Sequence, residues 1–445
     1  MDDSTGGGDS SIRDMLQEDI ETVFANKDLL DPETIIDEDR IVGRDQQLKI
    51  VVDNFKHVLD GEKVDDLMLH GPSGTGKSLT IGSVAEQVRE LGLETGIDFK
   101  TFKLNCAQVS SRDDAVFMLL KQVAQFLDVD PGVAKRTAST SGKFERLFDL
   151  LGEHFDSVVI VLDEVDKLLG RENKSDPAFS DIIYQLTRSN EFGLTETDVS
   201  VVTLSNNPVW LERVSSQTHS SFHPLKINFP DYEQNQLANI LENRKDAYKT
   251  GVVDRSVIQL CAALAARDHG DARQAIDLFR SAGRIANSQN ESALTEDHVR
   301  EAQASEERNA LYDQIIGISS NKQLSLYAVA LTLKYAPTDV DKAPGPVVFQ
   351  LYRYISQQMG REPRTSSTFT RYMGELDTYM MVHTIKQGRG INGVVNYYHM
   401  SEDPDMTIEL LEDNTSLSGL KNDQSNIRTV VRSQLSQSPH VNWTS

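Results

Sequence analysis

The sequence is short of cysteine, of positive charge and of long apolar runs, and each shortage narrows what the chain can be. Two cysteines in 445 residues, Cys106 and Cys261, lie far apart inside apolar segments. That excludes a disulfide framework and a cysteine-ligated metal centre, and implies a reducing compartment. No apolar stretch approaches the ~20 residues that a membrane-spanning helix requires. The N-terminal MDDSTGGGDSS is acidic and Gly/Ser-rich, unlike a signal peptide, so the chain reads as soluble and cytoplasmic, with no membrane partner. Lys and Arg number 45 against 68 Asp and Glu, a net charge of −23. Taken alone, this balance argues against nucleic acid as a partner. The acids are, however, spread along the whole chain and lysine is sparse, the surface expected of a protein solvated in concentrated salt. No internal repeat is found.

A chain of this length exceeds one ordinary core, so two or three domains are expected. Residues 1–20, rich in Asp, Gly and Ser, read as disordered. Over 21–230, five β-rich apolar segments, DLMLH, FKTFKLN, SVVIVLDE, VSVVTLS and LKINFP, alternate with helical patterns, which predicts an α/β domain built on a parallel sheet. Over 231–305 only helix-period patterns remain, predicting a small helical domain. Residues 306–412 carry further helices and the hairpin-like VHTIKQGRGINGVVNYYHM, the pattern of a winged helix. The polar 413–445 reads as a flexible tail.

Between the first strand and a helical run stands HGPSGTGKS, His70 to Ser78. The spacing G-x-x-x-x-G-K-S is that of a phosphate cradle. Gly74 and Gly76 let backbone N–H groups of the loop, Thr75 included, approach anionic oxygens, and the following helix adds its positive end. Lys77 is expected at the β- and γ-phosphates of ATP or ADP, and Ser78 at Mg²⁺. The alternative is a glycine-rich turn without a ligand. A second element supports the cradle: the apolar SVVIVL runs straight into Asp163 and Glu164, two carboxylates at the ligand-binding edge of an open sheet. Asp163 would hold the metal and Glu164 would polarise an attacking water; a solvated loop or helix cap is the plainer reading. In VVTLSNNP, Asn206 is the candidate to position that water, while Asn207 makes the turn before Pro208.

HGPSGTGKS, VIVLDEVD, TLSNN and HGDAR occur in the order found in AAA+ ATPases. Together with IVGRDQQL, KLNC and FPDYEQNQLANILENR, they give a chain that resembles archaeal replication initiators of the origin-recognition-complex type, from about Thr22 to about Met400. The resemblance implies an AAA+ core, a helical lid and a C-terminal winged helix. It places Ile41 to Arg44, Val42 included, at the adenine, Tyr232 and Arg244 at the nucleotide from the lid, and Arg273 as the lid arginine that reports phosphate state. A trans-acting arginine would fall on Arg213, although the segment between it and SSF is longer than the family pattern. Helices inserted over about 111–150 would touch DNA, and within them the loop carrying Lys135, Arg136, Lys143 and Arg146 is basic; a solvated linker is the alternative.

The acidic total is not uniform. Between Lys342 and Met400 there are seven Lys or Arg against three acids, a local excess of four. Cations retained in so acidic a chain fit phosphate contact. The reading helix would be TSSTFTRYMGELDTYM, with Arg364 just ahead of it and Thr370 and Arg371 on it, while Lys386 and Arg389 belong to the wing. A protein-docking module is the alternative. The function implied is an initiator that binds duplex origin DNA under control of ATP, turns ATP over slowly, self-associates or joins paralogous initiators, and recruits or loads the replicative helicase at the nucleoid. An AAA+ branch-migration motor and a nucleotide-holding transcriptional regulator remain the other readings.

Overall fold

The computed structural model describes residues 23–31, 41–170, 178–268, 270–336, 341–388 and 394–437. The expected disordered N-terminus, 1–20, therefore lies outside the described residues. The chain divides into two compact units, residues 1–302 and 303–445.

In the first unit, β1 (Leu67–His70), β2 (Phe99–Asn105), β3 (Ser157–Asp163), β4 (Asp198–Ser205) and β5 (Leu225–Asn228) fall on the five apolar segments. They form one sheet in the order β2-β3-β4-β1-β5 with every pairing parallel. Helices cover both faces, which is why β3 is apolar without alternation and buried from Ser157 to Leu162. On one face Val159, Val161 and Leu204 pack with α1 (Asp45–Phe55) and α2 (Lys77–Thr95) through Val51, Phe55, Ile81 and Val84. On the other, Phe102, Leu104 and Ile160 meet α3 (Arg112–Phe126), α4 (Thr140–His154) and α5 (Ala178–Thr187). Parallel pairing brings the C-terminal ends of the strands to one edge, where the loops after His70, Asp163 and Ser205 meet.

The short α6 (Ser216–Ser221) precedes β5. The helical lid follows as α7 (Gln234–Glu242), α8 (Arg255–Asp268) and α9 (Ala272–Ser288), with the N-terminal segment around Phe24 stacked on Tyr248 at 5.0 Å between ring centroids. α10 (Glu296–Gly317) runs through residue 302, so the division between the units, like the expected break after 305, falls inside a helix rather than in a linker.

The second unit is organised around α11 (Ser320–Tyr335), buried on every side from Gln323 to Thr332, and so without an amphipathic stripe. Around it stand α12 (Gly345–Gln358), α13 (Ser366–Thr378) and α14 (Pro404–Asn414), with a small antiparallel sheet in the order β6-β8-β7 made of Ala343–Pro344 (β6), His383–Gly388 (β7) and Val394–His399 (β8). This is the winged helix read from the sequence; the tip between β7 and β8, including Arg389, lies outside the described residues.

One expectation is overturned here. The stretch after residue 412 is not a flexible tail over its described part. α15 (Gln424–Gln437) buries Ile427, Val431 and Leu435 completely against α11 and α12. Its composition is polar, but the three apolar residues recur at i, i+4 and i+8, one stripe of a helix, and that stripe completes the core. Glu412 is buried too, accepting a hydrogen bond from Tyr327 Oη at 2.6 Å.

Candidate nucleotide site and DNA interface

The loop between β1 and α2 turns on glycines whose backbone conformation and close neighbours both disfavour a side chain. Gly74 and Gly76 have φ of +67° and +88°. A Cβ on Gly74 would lie 1.6 Å from Asp271 Oδ1, and one on Gly76 would lie 2.8 Å from the Tyr232 hydroxyl. The lid therefore rests directly on the phosphate loop, and the Ala272 N–H donates to Gly74 O at 3.2 Å. Asp271 caps α9 by accepting from the N–H groups of Arg273 and Gln274.

A cleft of about 710 Å³ opens between this loop, the sheet edge and the lid, within the size range of small-molecule sites. Of the residues expected at a nucleotide, Val42, Gly74, Thr75, Gly76, Lys77, Ser78, Asp163, Glu164, Asn206, Tyr232, Arg244 and Arg273 line it. Elements distant in sequence supply them because four strand ends and the lid converge on one edge. Lys77 donates to Gly71 O and Pro72 O, both at 2.6 Å, and to Asn206 Oδ1 at 3.2 Å. Burial lowers its ammonium to about 8, with Asp163 and Asp166 pulling the other way. Ser78 Oγ donates to Asp163 Oδ2 at 3.1 Å. Glu164 sits in the left-handed region, φ +52°, its N–H held by Asp163 Oδ1 at 2.9 Å. A side chain pays for that conformation, and strain of this kind gathers at functional turns. Here it aims consecutive carboxylates into the same cleft.

The expected place of Arg44 is corrected. Arg44 does not line the cleft: it is buried to 2% exposure, donating from Nε to Thr75 O at 2.9 Å and from an Nη to Pro230 O at 2.5 Å, with its guanidinium 3.7 Å from the Tyr232 ring centroid. It clamps the phosphate loop from behind. Tyr232, two residues before α7, and Arg244, beyond the end of α7 and donating to Leu29 O at 2.7 Å, both line the cleft as expected. Arg213, expected to act on a neighbour's nucleotide, ends a short 3-10 turn over Pro208–Arg213, exposed and outside the lining of this chain's own cleft. Asn207 is the cap of that turn, accepting from the Val209 N–H, as its sequence suggested.

The sequence reading missed the contribution of the second strand and the helix after it. Lys103, Asn105, Gln108 and Gln122 line the cleft, and Lys103 Nζ lies 2.7 Å from Asp163 Oδ2. The signal lies in the register and not in the strand's own pattern: Asn105 stands opposite Asp163 across a parallel pair, and Lys103 shares its face two residues earlier.

Two of the four basic residues of the inserted loop are paired with acids. Lys143 is wholly buried, 2.6 Å from Asp113 Oδ2 and donating to Lys135 O, and Lys135 pairs with Asp114 at 2.6 Å. Its lysines brace α3 against α4 instead of projecting toward a ligand; Arg136 stays exposed.

In the winged helix, α13 packs Phe369, Met373 and Leu376 inward and exposes Ser367, Thr370, Arg371, Gly374 and Thr378 on the opposite side. This spacing is one helix face without an acid. Glu375 is drawn to Lys322 at 2.7 Å, and Asp377 accepts the Thr384 N–H. Arg371 is 67% exposed, 3.9 Å from Glu375. Arg364 and Lys386 are exposed, while Thr370 donates back to Ser366 O. Arg389 lies outside the described residues.

A phosphate loop, paired carboxylates at a β-strand end, a lid bearing an arginine and a winged helix define an AAA+ ATPase with a C-terminal winged-helix domain. The chain matches family models of an AAA ATPase domain over residues 40–202, a Cdc6 AAA+ ATPase-type lid domain over 238–304 and a CDC6 C-terminal winged helix domain over 313–410. It is 40% identical to ORC1-type DNA replication protein 5 of Halobacterium salinarum, over 93% of this chain and 97% of that protein. It is also 40% identical to ORC1-type DNA replication protein 14 of Haloarcula marismortui, over 94% and 98%. Among solved structures it is similar to the Aeropyrum pernix ORC1 protein in complex with DNA, at 27% identity and a TM-score of 0.67, over 90% of this chain and 99% of that one. The chain belongs to the ORC1-type DNA replication protein family, the initiators whose AAA+ ATPase domain is joined to a Cdc6-type lid and winged helix.

Proposed function

We propose that this protein binds the duplex DNA of a replication origin in a manner controlled by ATP, and that it recruits or helps load the replicative helicase there, acting with further copies of itself or with paralogous initiators at the nucleoid. The observation that carries the nucleotide half is the contact between lid and phosphate loop. With Asp271 and Tyr232 packed on Gly74 and Gly76, a triphosphate drawn into the loop cannot settle without the lid sensing it, and Arg273 on the first turn of α9 faces the same cleft. The acid-free face of α13 carries the DNA half, with the DNA-bound Aeropyrum pernix relative as support.

Within the cleft, Lys77 and the loop N–H groups would hold the β- and γ-phosphates, and Glu164 and Asn206 would orient a water in line with the γ-phosphorus. Ser78 and Asp163 fit a Mg²⁺ ion, since a hydroxyl and a carboxylate in mutual contact form an oxygen donor set for a hard cation whose other ligands are phosphate and water. Mg²⁺ bound there would supply neutralisation of charge on the phosphates. Turnover is slow and regulatory. Arg213, exposed and away from its own cleft, would complete the site of a neighbouring subunit; Ile41 and Val42 would flank the base.

The test is a genome-wide map of DNA bound by the full chain at native salt, compared with Lys77→Ala and Arg371→Ala. Occupancy at replication starts, lost in both variants, is the expected result. Bound sites unconnected to replication starts would overturn the initiator reading in favour of a transcriptional regulator.

A further inference from the structure

Asp163 is already engaged by a cation of the protein's own. Its Oδ2 receives both the Ser78 hydroxyl at 3.1 Å and the Lys103 ammonium at 2.7 Å, while Oδ1 holds the Glu164 N–H at 2.9 Å. Lys103 stands on β2, the edge strand beside β3, so its Cα is fixed by the ladder to Val161, two residues before Asp163. Its four-carbon stem runs along that face toward the cleft and remains 51% exposed, whereas Asp163 is 16% exposed. One end of the pair is rigid and shielded, and the other is free to leave.

We propose that Lys103 is a positioning residue that competes with the divalent cation for Asp163, setting the Mg²⁺ concentration at which the site closes on a nucleotide. This inference rests on the reading of Ser78 and Asp163 as the metal pair. An ammonium and a divalent cation at contact distance on one carboxylate oxygen disfavour each other, because like charges repel there. Metal binding at Asp163 therefore favours Lys103 swinging off. The competing pair is a contact interaction, so it persists at ionic strengths where the Debye length has shrunk to roughly 3 Å, the regime in which longer-range steering is lost. A neutral side chain at this position would leave Asp163 open to metal. An arginine would keep the competition.

The experiment measures binding of methylanthraniloyl-ATP by the full chain as Mg²⁺ is titrated at constant KCl, for the wild type, Lys103→Met and Lys103→Arg, with a parallel titration of nucleotide in EDTA. Lys103→Met is expected to lower the half-saturating Mg²⁺ about two- to fivefold, the scale of a partly exposed ion pair. Lys103→Arg stays near the wild type, and affinity in EDTA is unchanged in both. An unshifted or raised half-saturation in Lys103→Met overturns the proposal, and a loss of affinity in EDTA reassigns Lys103 as a phosphate ligand and overturns it too. If Mg²⁺ leaves wild-type binding unaffected, the metal reading itself fails, a result distinct from a wild-type response that Lys103→Met merely reproduces. Melting curves of the two variants report folding independently of the nucleotide.

Discussion

Replacing Arg44 with methionine separates two roles for the same residue. If Arg44 touches the nucleotide, as family resemblance implies, the variant loses affinity and little stability. The structure assigns it the opposite part. Two charge-assisted hydrogen bonds, to Thr75 O and Pro230 O, would be lost, at about 2 kcal/mol each. The contact with the Tyr232 ring adds about 1 kcal/mol. Against this, methionine removes the cost of burying a guanidinium, a cost visible in the downward shift that burial imposes on Arg44; about 2 kcal/mol is returned. The net loss is about 3 kcal/mol, which for a unit of this size lowers its melting temperature by roughly 5–10 °C. Nucleotide affinity should fall as well, since the phosphate loop loses its rear support, but the loss should shrink at low temperature, where the loop is held by the remaining contacts. Differential scanning calorimetry with and without ATP, paired with binding titrations at two temperatures, reads both quantities. An unchanged melting temperature with a hundredfold loss of affinity would refute the clamp.

Burial holds Lys77 at about 8, below the lysine range; phosphate oxygens would raise it, so nucleotide binding at about pH 8–9 should take up a proton, seen as a buffer-dependent binding enthalpy that disappears in Lys77→Met. Because the unfolded chain keeps that proton longer, stability of the unliganded protein should rise between about pH 8 and 10.5. Asp66 is pushed up to about 6 by burial, despite the Val201 N–H at 2.7 Å. Its folded form holds the proton longer than the unfolded form, so its favourable contribution is present below about pH 4 and lost as the pH rises through 6. Asp66→Asn should therefore stabilise the protein by about 1–2 kcal/mol at pH 7 and not at pH 4, as urea unfolding would show. Lys143→Ala should cost about 2 kcal/mol, leaving Asp113 without its buried partner, yet leave the salt dependence of DNA binding unaltered; Arg371→Ala should do the reverse, reducing the slope by about one.

Much of the site was legible because its chemistry is local. The cradle glycines, Lys77, Ser78, Asp163 and Glu164 each sit at a strand end that the apolar pattern marks, and backbone geometry alone places them on one sheet edge. Lys103 escaped because its relevance comes from a neighbouring strand: nothing within FKTFKLN names Asp163 as a partner until the parallel register is known. Arg44 was misread for a related reason. Its sequence neighbourhood belongs to the cleft, since Ile41 and Val42 line it, but the turn before α1 sends the arginine behind the loop. The lysines of the basic loop after α3 were overcounted more simply, because charge counted along a chain ignores the acids that packing brings opposite, here Asp113 and Asp114.

The sequence by itself determined the parallel sheet, the phosphate cradle, the carboxylate pair and the winged helix, because each is written locally: in continuous apolar runs, in a 3.6-residue helical spacing, in glycines whose conformational freedom is a property of the residue, or in carboxylates that directly follow a strand. Only the tertiary structure decided which cations are free and which are spent inside the protein, and that polar-looking 424–437 closes a core. Those outcomes depend on which surfaces meet across long sequence separations, and the free energy of a charge or an apolar stripe is set by what lies against it.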